Sequence, residues 1–467
     1  MAANSRSGNA VLAKALADAG WRPEDLARRL NAAAEAHHYA VKLNPKTPFK
    51  WRDQGVQPRP PWPELIALVL SEATSAAFLP EDFGWRSHAG VAPACGLAQT
   101  PWTVEGAQHA MRDLTHAPLQ RRRFLMLAGA AATAAPLKWL VTPEVERVIG
   151  RGDGQISDTV ITEIDQTTAS ARRMNDQLGS TVELLDLVHA QFAFVSRLLD
   201  RYSYTDSVGR RLHASAGELL RLGGWIAFDR GDHGRAQHYW TTALRAAHTA
   251  GDRALGANII GFMSCATKNL PGGGQQAVTL AETALAGYPG ASPRVSAILA
   301  FRLAEAHAVA GSTSGCRRMI DTAFDQLDAV QPADAPEPAW AYWMGQRQAH
   351  GQAGYCYLRL HDWSRARHHL RAATSTSSIG YSRAAVHRQL LLARTYLHQP
   401  VPEVEHAVTL AERAAAELDG NVRSERCVDH LGQLVTALGP YQRRGAPVTD
   451  LIRHARHLIA TTNATAN

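Results

Sequence analysis

The sequence predicts an all-α fold in three parts: a small N-terminal helical head (1–86), a connecting region holding one apolar helix (87–150) and a long body of repeated helical hairpins (151–467). Three observations predict it. Alanine is abundant along the whole chain, while alternating Val, Ile and Thr are scarce, which favours close helix packing over sheet. Helix start and stop signals crowd the first 86 residues, and further on a pattern of small residues recurs at long, nearly regular intervals. A chain of 467 residues also exceeds one ordinary core, so several domains or a repeat array are required.

In the head, Leu12, Leu16 and Ala19 fall at helical spacing and stop at Gly20. Arg22-Pro23-Glu24-Asp25 opens a second helix with proline and two acids in its first turn, and Leu26, Leu30 and Ala33 give it an apolar face. A third start lies at Asn44 to Pro48, with Thr47 as expected cap and Pro48 at the first helical position. Phe49 to Gln54 follow, ended by Gly55, and a fourth helix runs from Pro63 to Ala73. Residues 1–60 hold ten Lys and Arg against five acids, a local excess of five in a chain whose net charge is +7. Such an excess attracts phosphates whatever the base sequence.

This order of short helices, the Trp51 to Gly55 ending and the Arg59-Pro60-Pro61 lead resemble the lambda-repressor-like helix-turn-helix domains of bacterial regulators. Leu79 to Trp85 looks like the closing segment of that domain in actinobacterial members. The resemblance implies double-stranded DNA as partner, a third helix in the major groove, and Lys46, Thr47, Lys50 and Arg52 as contacts, with Trp51 as a core anchor. It departs from the pattern at Asn31 to Leu43, which is longer than a tight turn and contains His37 and His38. The alternative is a head that does not bind DNA.

Residues 86–118 read as a connecting region. Arg121-Arg122-Arg123 and the apolar run from Phe124 to Leu137 resemble a twin-arginine export signal in residue order, but they follow a complete head, and the run is too short to span a bilayer. A packed helix between head and body is expected, with no membrane.

The body repeats itself. Gly224, Ala227, Gly231-Asp232, Ala236, Trp240 and Ala243 match Gly354, Tyr357, His361-Asp362, Ala366, Leu370 and Ala373. Weaker copies begin at Ala277, Cys316 and Ala407, so that the anchors 236, 277, 316, 366 and 407 are 41, 39, 50 and 41 residues apart. The long interval contains the proline-rich insertion 331–338. Small residues at contact positions let antiparallel helices approach closely, and stacked hairpins form a superhelix with a concave face. The pattern resembles tetratricopeptide repeats of extended period over roughly residues 180–420. Joined to the head, it is similar to actinobacterial transcriptional regulators of combined architecture.

No catalytic or metal constellation emerges. Among 21 histidines none has metal-ligand spacing, Gly272-Gly273-Gly274 lacks a following lysine, and Asp229, Asp232 and Asp362 sit where acids cap helices. Five scattered cysteines suggest a reduced, cytoplasmic chain. No cofactor is implied. The resemblance to peptide-responsive regulators implies a homodimer and a repeat groove for a signalling peptide, small molecule or protein. Its candidate residues are Trp225, Tyr239, Trp340, Tyr342, Trp343, Tyr355 and Tyr381, with Arg302, Arg347 and Arg388 for charge. More than half of these aromatics are expected to be core. A protein-interaction scaffold is the other reading.

Overall fold

The computed structural model describes residues 8–36, 42–59, 62–74, 78, 80–85, 100–116, 129–152, 154–268, 270, 272–329, 337–374, 382–420 and 422–466. Every regular element among them is helical, and extended pairing is limited to isolated bridges.

Helices α1 (Ala10–Asp18), α2 (Pro23–Ala36), α3 (Thr47–Gln54) and α4 (Trp62–Thr74) form the head. Leu12, Leu16, Leu26, Leu30, Leu65 and Ile66 are its core, closed by Phe83 and Trp85. Asn9 caps α1 by accepting from Leu12 N (3.0 Å), while its Nδ2 donates to Phe83 O (2.8 Å), tying the closing segment to the first helix. Gly55 ends α3 at φ +60, a conformation glycine adopts without strain. Thr47 does not cap α3. It is the first helical residue, Lys46 holds the cap position in helical φ/ψ, and Asn44 Oδ1 accepts from Lys46 N (2.9 Å) instead. The long α2–α3 connection is pinned by Asn31, which donates to Leu43 O (2.9 Å) and accepts from Leu43 N (2.6 Å). His37 and His38 lie outside the described residues.

The connecting region is more structured than its composition suggests. Helix α5 (Val104–His116) buries Ala107, Ala110, Met111 and Leu114, and Gln108 donates to Tyr204 Oη (3.1 Å). Those four positions have helical spacing, but three are small or flexible side chains set among Gln108, His109 and Arg112, which hides the stripe in a hydropathy reading. Helix α6 (Gly129–Val141) is the expected packed helix: Ala132 joins the head core, while Trp139 is fully buried in the body core. Arg121-Arg122-Arg123 lies outside the described residues, and no described helix is long and apolar enough to cross a membrane.

Seven hairpins follow: α7 (Asp158–Leu178) with α8 (Val182–Arg201), α9 (Asp206–Asp229) with α10 (His233–Ala250), α11 (Arg253–Thr267) with α12 (Gly274–Ala286), α13 (Pro293–Val309) with α14 (Thr313–Asp328), α15 (Gln346–Arg359) with α16 (Trp363–Thr374), α17 (Ser382–Leu397) with α18 (Val404–Gly420) and α19 (Glu425–Leu438) with α20 (Ala446–Ala466). The all-α solenoid is therefore present, and it extends beyond both ends of the repeat pattern. The anchors Ala236, Ala277, Cys316, Ala366 and Ala407 all lie on second helices and are all fully buried.

The repeat's spacing has a direct packing cause. Gly224 lies under the Trp240 indole and Gly354 under Leu370, so the small residue of the first helix receives the large one of the second. The turns are also shared: Asp232 N and Asp362 N donate to Ala227 O and Tyr357 O (2.9 Å each), and each aspartate caps the next helix by accepting from the backbone N–H of Arg235 or Arg365 (3.2 Å each). The left-handed turn residue is Gly231 in one copy and His361, at φ +58, in the other. A methyl placed at Gly224 collides with the indole of Trp240, which is itself held by a bond from Nε1 to Arg221 O (3.2 Å). Gly224→Ala is expected to lower stability by about 1–3 kcal/mol in a urea titration, as overpacking does.

The superhelix coils until it meets itself. The α7–α8 turn reaches the α18–α19 turn, where Ser180 N donates to Arg423 O (2.9 Å). Gly179 stands at φ +80 with the Arg423 backbone where a Cβ would sit, so both its conformation and the close approach require glycine. Arg383 of α17 donates to Asn175 Oδ1 (3.0 Å), and Tyr342 Oη donates to Asp176 of α7. The concave face is thereby closed into a ring.

Candidate functional site

The ring encloses a cavity of about 1130 Å³. Ten Arg and Lys side chains line it against four carboxylates, a formal excess of six charges. Three further acids stand behind the wall: Glu218 pairs with Arg172 and Arg221 (3.9 Å to the latter), Asp229 with Arg383 (3.7 Å) and Arg426 (3.5 Å), and Glu337 with Arg294 (3.9 Å). Counting these leaves an excess of three.

Aromatic rings hold the cations in place. Arg383 and Arg426 both lie over Trp225 (5.4 and 5.1 Å to the ring centre), Arg221 over Trp340 (5.8 Å), Arg302 over Phe262 (5.3 Å) and Lys268 over Tyr355 (5.0 Å). Each contact fixes a guanidinium or ammonium by attraction to the ring face, strongest where water is excluded. Small residues make the room: Gly261 faces the Arg302 stem and Gly351 the Arg388 stem.

Burial shapes the electrostatics. It pushes Arg221 and Arg388 down to about 10 and, with the neighbouring Arg221 charge, Arg172 to about 10. Burial alone would raise the Glu305 carboxyl, but Lys268 and Arg302 outweigh it and hold Glu305 at about 2. His387 is driven well below its ordinary value and His430 to about 3, by burial first and by Arg426 next.

Eight of the ten groove candidates from the sequence converge on this cavity: Trp225, Trp340, Tyr342, Trp343 and Tyr355 with Arg302, Arg347 and Arg388. Tyr239 does not. It points into the hairpin interior, fully buried, with its hydroxyl 2.8 Å from His189 Nδ1, because it neighbours Trp240 on the face that packs against α9. Tyr381 lies outside the described residues. Of the six described candidate aromatics only Tyr239 and Trp340 are buried, fewer than the core expectation, since the ring interior admits side chains that an ordinary core would cover. The sequence reading missed Arg221, Arg172 and Asp229. Asp229 is no cap: it ends α9 fully buried and accepts from Ser424 Oγ (3.0 Å). His369 meets His350 (2.9 Å between Nδ1 atoms), and no cluster of metal-ligating side chains occurs among the described residues.

The second candidate surface is α3 of the head. Lys46 and Lys50 are exposed and Thr47 is half-exposed, while Trp51 is buried beneath them. Arg52 is partly withdrawn: its Nε and Nη2 donate to Asp53 (2.6 and 2.9 Å).

The family described as SP15 N-terminal domain matches residues 12–86. No curated protein matches the chain.

Proposed function

We propose that the chain is a DNA-binding transcriptional regulator, cytoplasmic and homodimeric, whose head contacts duplex DNA through α3 and whose ring-shaped body receives a signal molecule. The observation that carries the reading is the pairing of two surfaces in one chain: a short helix anchored by Trp51 with Lys46 and Lys50 turned outward, and a cation-rich cavity in the repeats. Helix α6 supports a coupling between them, because one end joins the head core at Ala132 and the other the body core at Trp139. The four described cysteines are free and buried, as a reducing compartment requires.

The test is capture of genomic DNA fragments by the full chain, beside the Lys46→Ala/Lys50→Ala variant. Specific fragments are expected for the wild type, and loss of two phosphate contacts should lower the salt slope of log K by about two. Equal capture by the variant sinks the α3 assignment. Absence of enrichment in both turns the reading to a protein-interaction scaffold.

A further inference from the structure

We infer that the ring cavity is a binding site for a phosphorylated small molecule carrying three or more negative charges. This rests on the reading of the body as the ligand-receiving part and is independent of DNA binding by the head.

The charge excess is the first ground. Three uncompensated cations remain after the acids behind the wall are counted, and cations enclosed in a ring are poorly screened by solvent. Orphaned donors are the second. Arg221 is 5 % exposed, and beyond a weak pairing with Glu218 its Nε–H is buried without an acceptor. Arg388, 6 % exposed, has only the neutral Gln348 Oε1 as acceptor (3.0 Å), and its Nε–H is also unmatched. The buried Nε–H groups of Arg172, Arg302 and Arg426 lack hydrogen-bond acceptors as well. Unmatched buried charge is costly, so a fold that keeps it around a cavity is completed by an anion with many acceptor oxygens.

The choice of phosphate over a peptide follows from the donor types. Nine of the ten cations are arginine, whose planar fork matches phosphate oxygens two at a time. A peptide would need amide side chains to clamp its backbone, and four of the five that line the cavity are committed, Asn175 to Gly179 O and Ser180 Oγ, Gln348 to Arg388, Gln346 to Asp328, and Gln433 to Arg394, which leaves Gln352. The rings of Trp225, Phe262, Trp340 and Tyr342 are likewise occupied in holding arginines. At about 1130 Å³ the cavity is slightly larger than the usual small-molecule site of about 300–1,000 Å³, so it has room for a nucleotide-sized polyanion.

The experiment is calorimetric titration and thermal unfolding of the full chain with inorganic tripolyphosphate, with ATP and with a tetra-glutamate peptide, at fixed ionic strength. Tripolyphosphate is expected to bind and raise the melting temperature, tetra-glutamate to leave it unchanged, and tighter binding of ATP would show that the ring also accepts a nucleoside. Arg221→Met and Arg388→Met should each weaken tripolyphosphate binding at least about tenfold. Because Arg388 has no acid partner, the free Arg388→Met variant should melt no lower than the wild type. Lys46→Ala/Lys50→Ala should retain the tripolyphosphate shift, which separates the cavity from the head, and the arginine variants should retain DNA capture. The inference fails if no phosphate compound shifts the protein, if tetra-glutamate shifts it more, or if the arginine variants respond as the wild type does.

Discussion

Lowering the pH from about 7.5 to about 5.5 is expected to remove several kcal/mol of stability from the repeat body, through histidines that fold in the neutral form. His213 of α9 is fully buried, neither ring nitrogen has a hydrogen-bond partner, and burial drives it to about 3. Burial takes His238 to about 4, and burial together with Arg426 takes His430 to about 3. In the unfolded chain each titrates near the ordinary value of about 6.5. Above that pH both states are neutral and nothing is lost. Below it the unfolded chain takes up protons that the folded one refuses, so stability declines as pH falls from about 6.5 toward the folded values. Each histidine contributes at most about 1.4 kcal/mol per pH unit, and the three together about 4, against a typical total of about 5–15 kcal/mol. Glu305 does not add to this window: held at about 2, it loses its contribution only as pH falls from its unfolded value toward that figure. Urea midpoints at the two pH values measure the decline. His213→Leu removes one titrating site without orphaning a partner, so it should reduce the decline by about 1.4 kcal/mol; an undiminished decline would show that His213 is not among its causes.

The parts legible in the sequence are those fixed by neighbours close along the chain. Ala236, Ala277, Cys316, Ala366 and Ala407 each meet a helix supplied by the same hairpin, so their period survives in the sequence, and all are buried as the pattern requires. The head helices were legible for the same reason, through Pro23, Gly20 and Gly55 at their ends. Ring closure leaves no such trace. Ser424 meets Asp229 across 195 positions and Arg383 meets Asn175 across 208, separations at which no local spacing relates the partners. Asp229 consequently reads as one more turn acid beside Asp232, although one is fully buried and the other caps a helix. The cavity was half legible: its Trp, Tyr and Arg stood out by type, but the excess of cations emerges only when the seven hairpins bend their inner faces together. Tyr239 failed because its neighbour Trp240, not its own type, decides which way that face of α10 turns.

Asp229→Ala is expected to be the most damaging single change in the ring. The carboxylate is fully buried at the end of α9, accepts from Ser424 Oγ (3.0 Å) and faces two guanidiniums, Arg383 at 3.7 Å and Arg426 at 3.5 Å. Its removal leaves both cations inside a cavity already short of negative charge, and breaking such a buried pair costs about 3–5 kcal/mol. A surface aspartate of the same chain, such as Asp18 beside Lys14, should cost less than about 1 kcal/mol on the same change. The damage should also be visible as shape. Ser424 and Arg426 belong to the last hairpin and Asp229 to the second, so the contact joins the two ends of the coil, and its loss should raise the radius of gyration in solution scattering before the chain unfolds. Replacing all three charges, as Asp229→Leu with Arg383→Met and Arg426→Met, should restore much of the stability, since an apolar cluster of similar volume replaces a buried ionic one at little cost. An Asp229→Ala variant that keeps both its urea midpoint and its dimensions would show that the ring is held by Gly179, Ser180 and the Arg423 backbone instead, and that the charges around Asp229 serve the cavity rather than its closure.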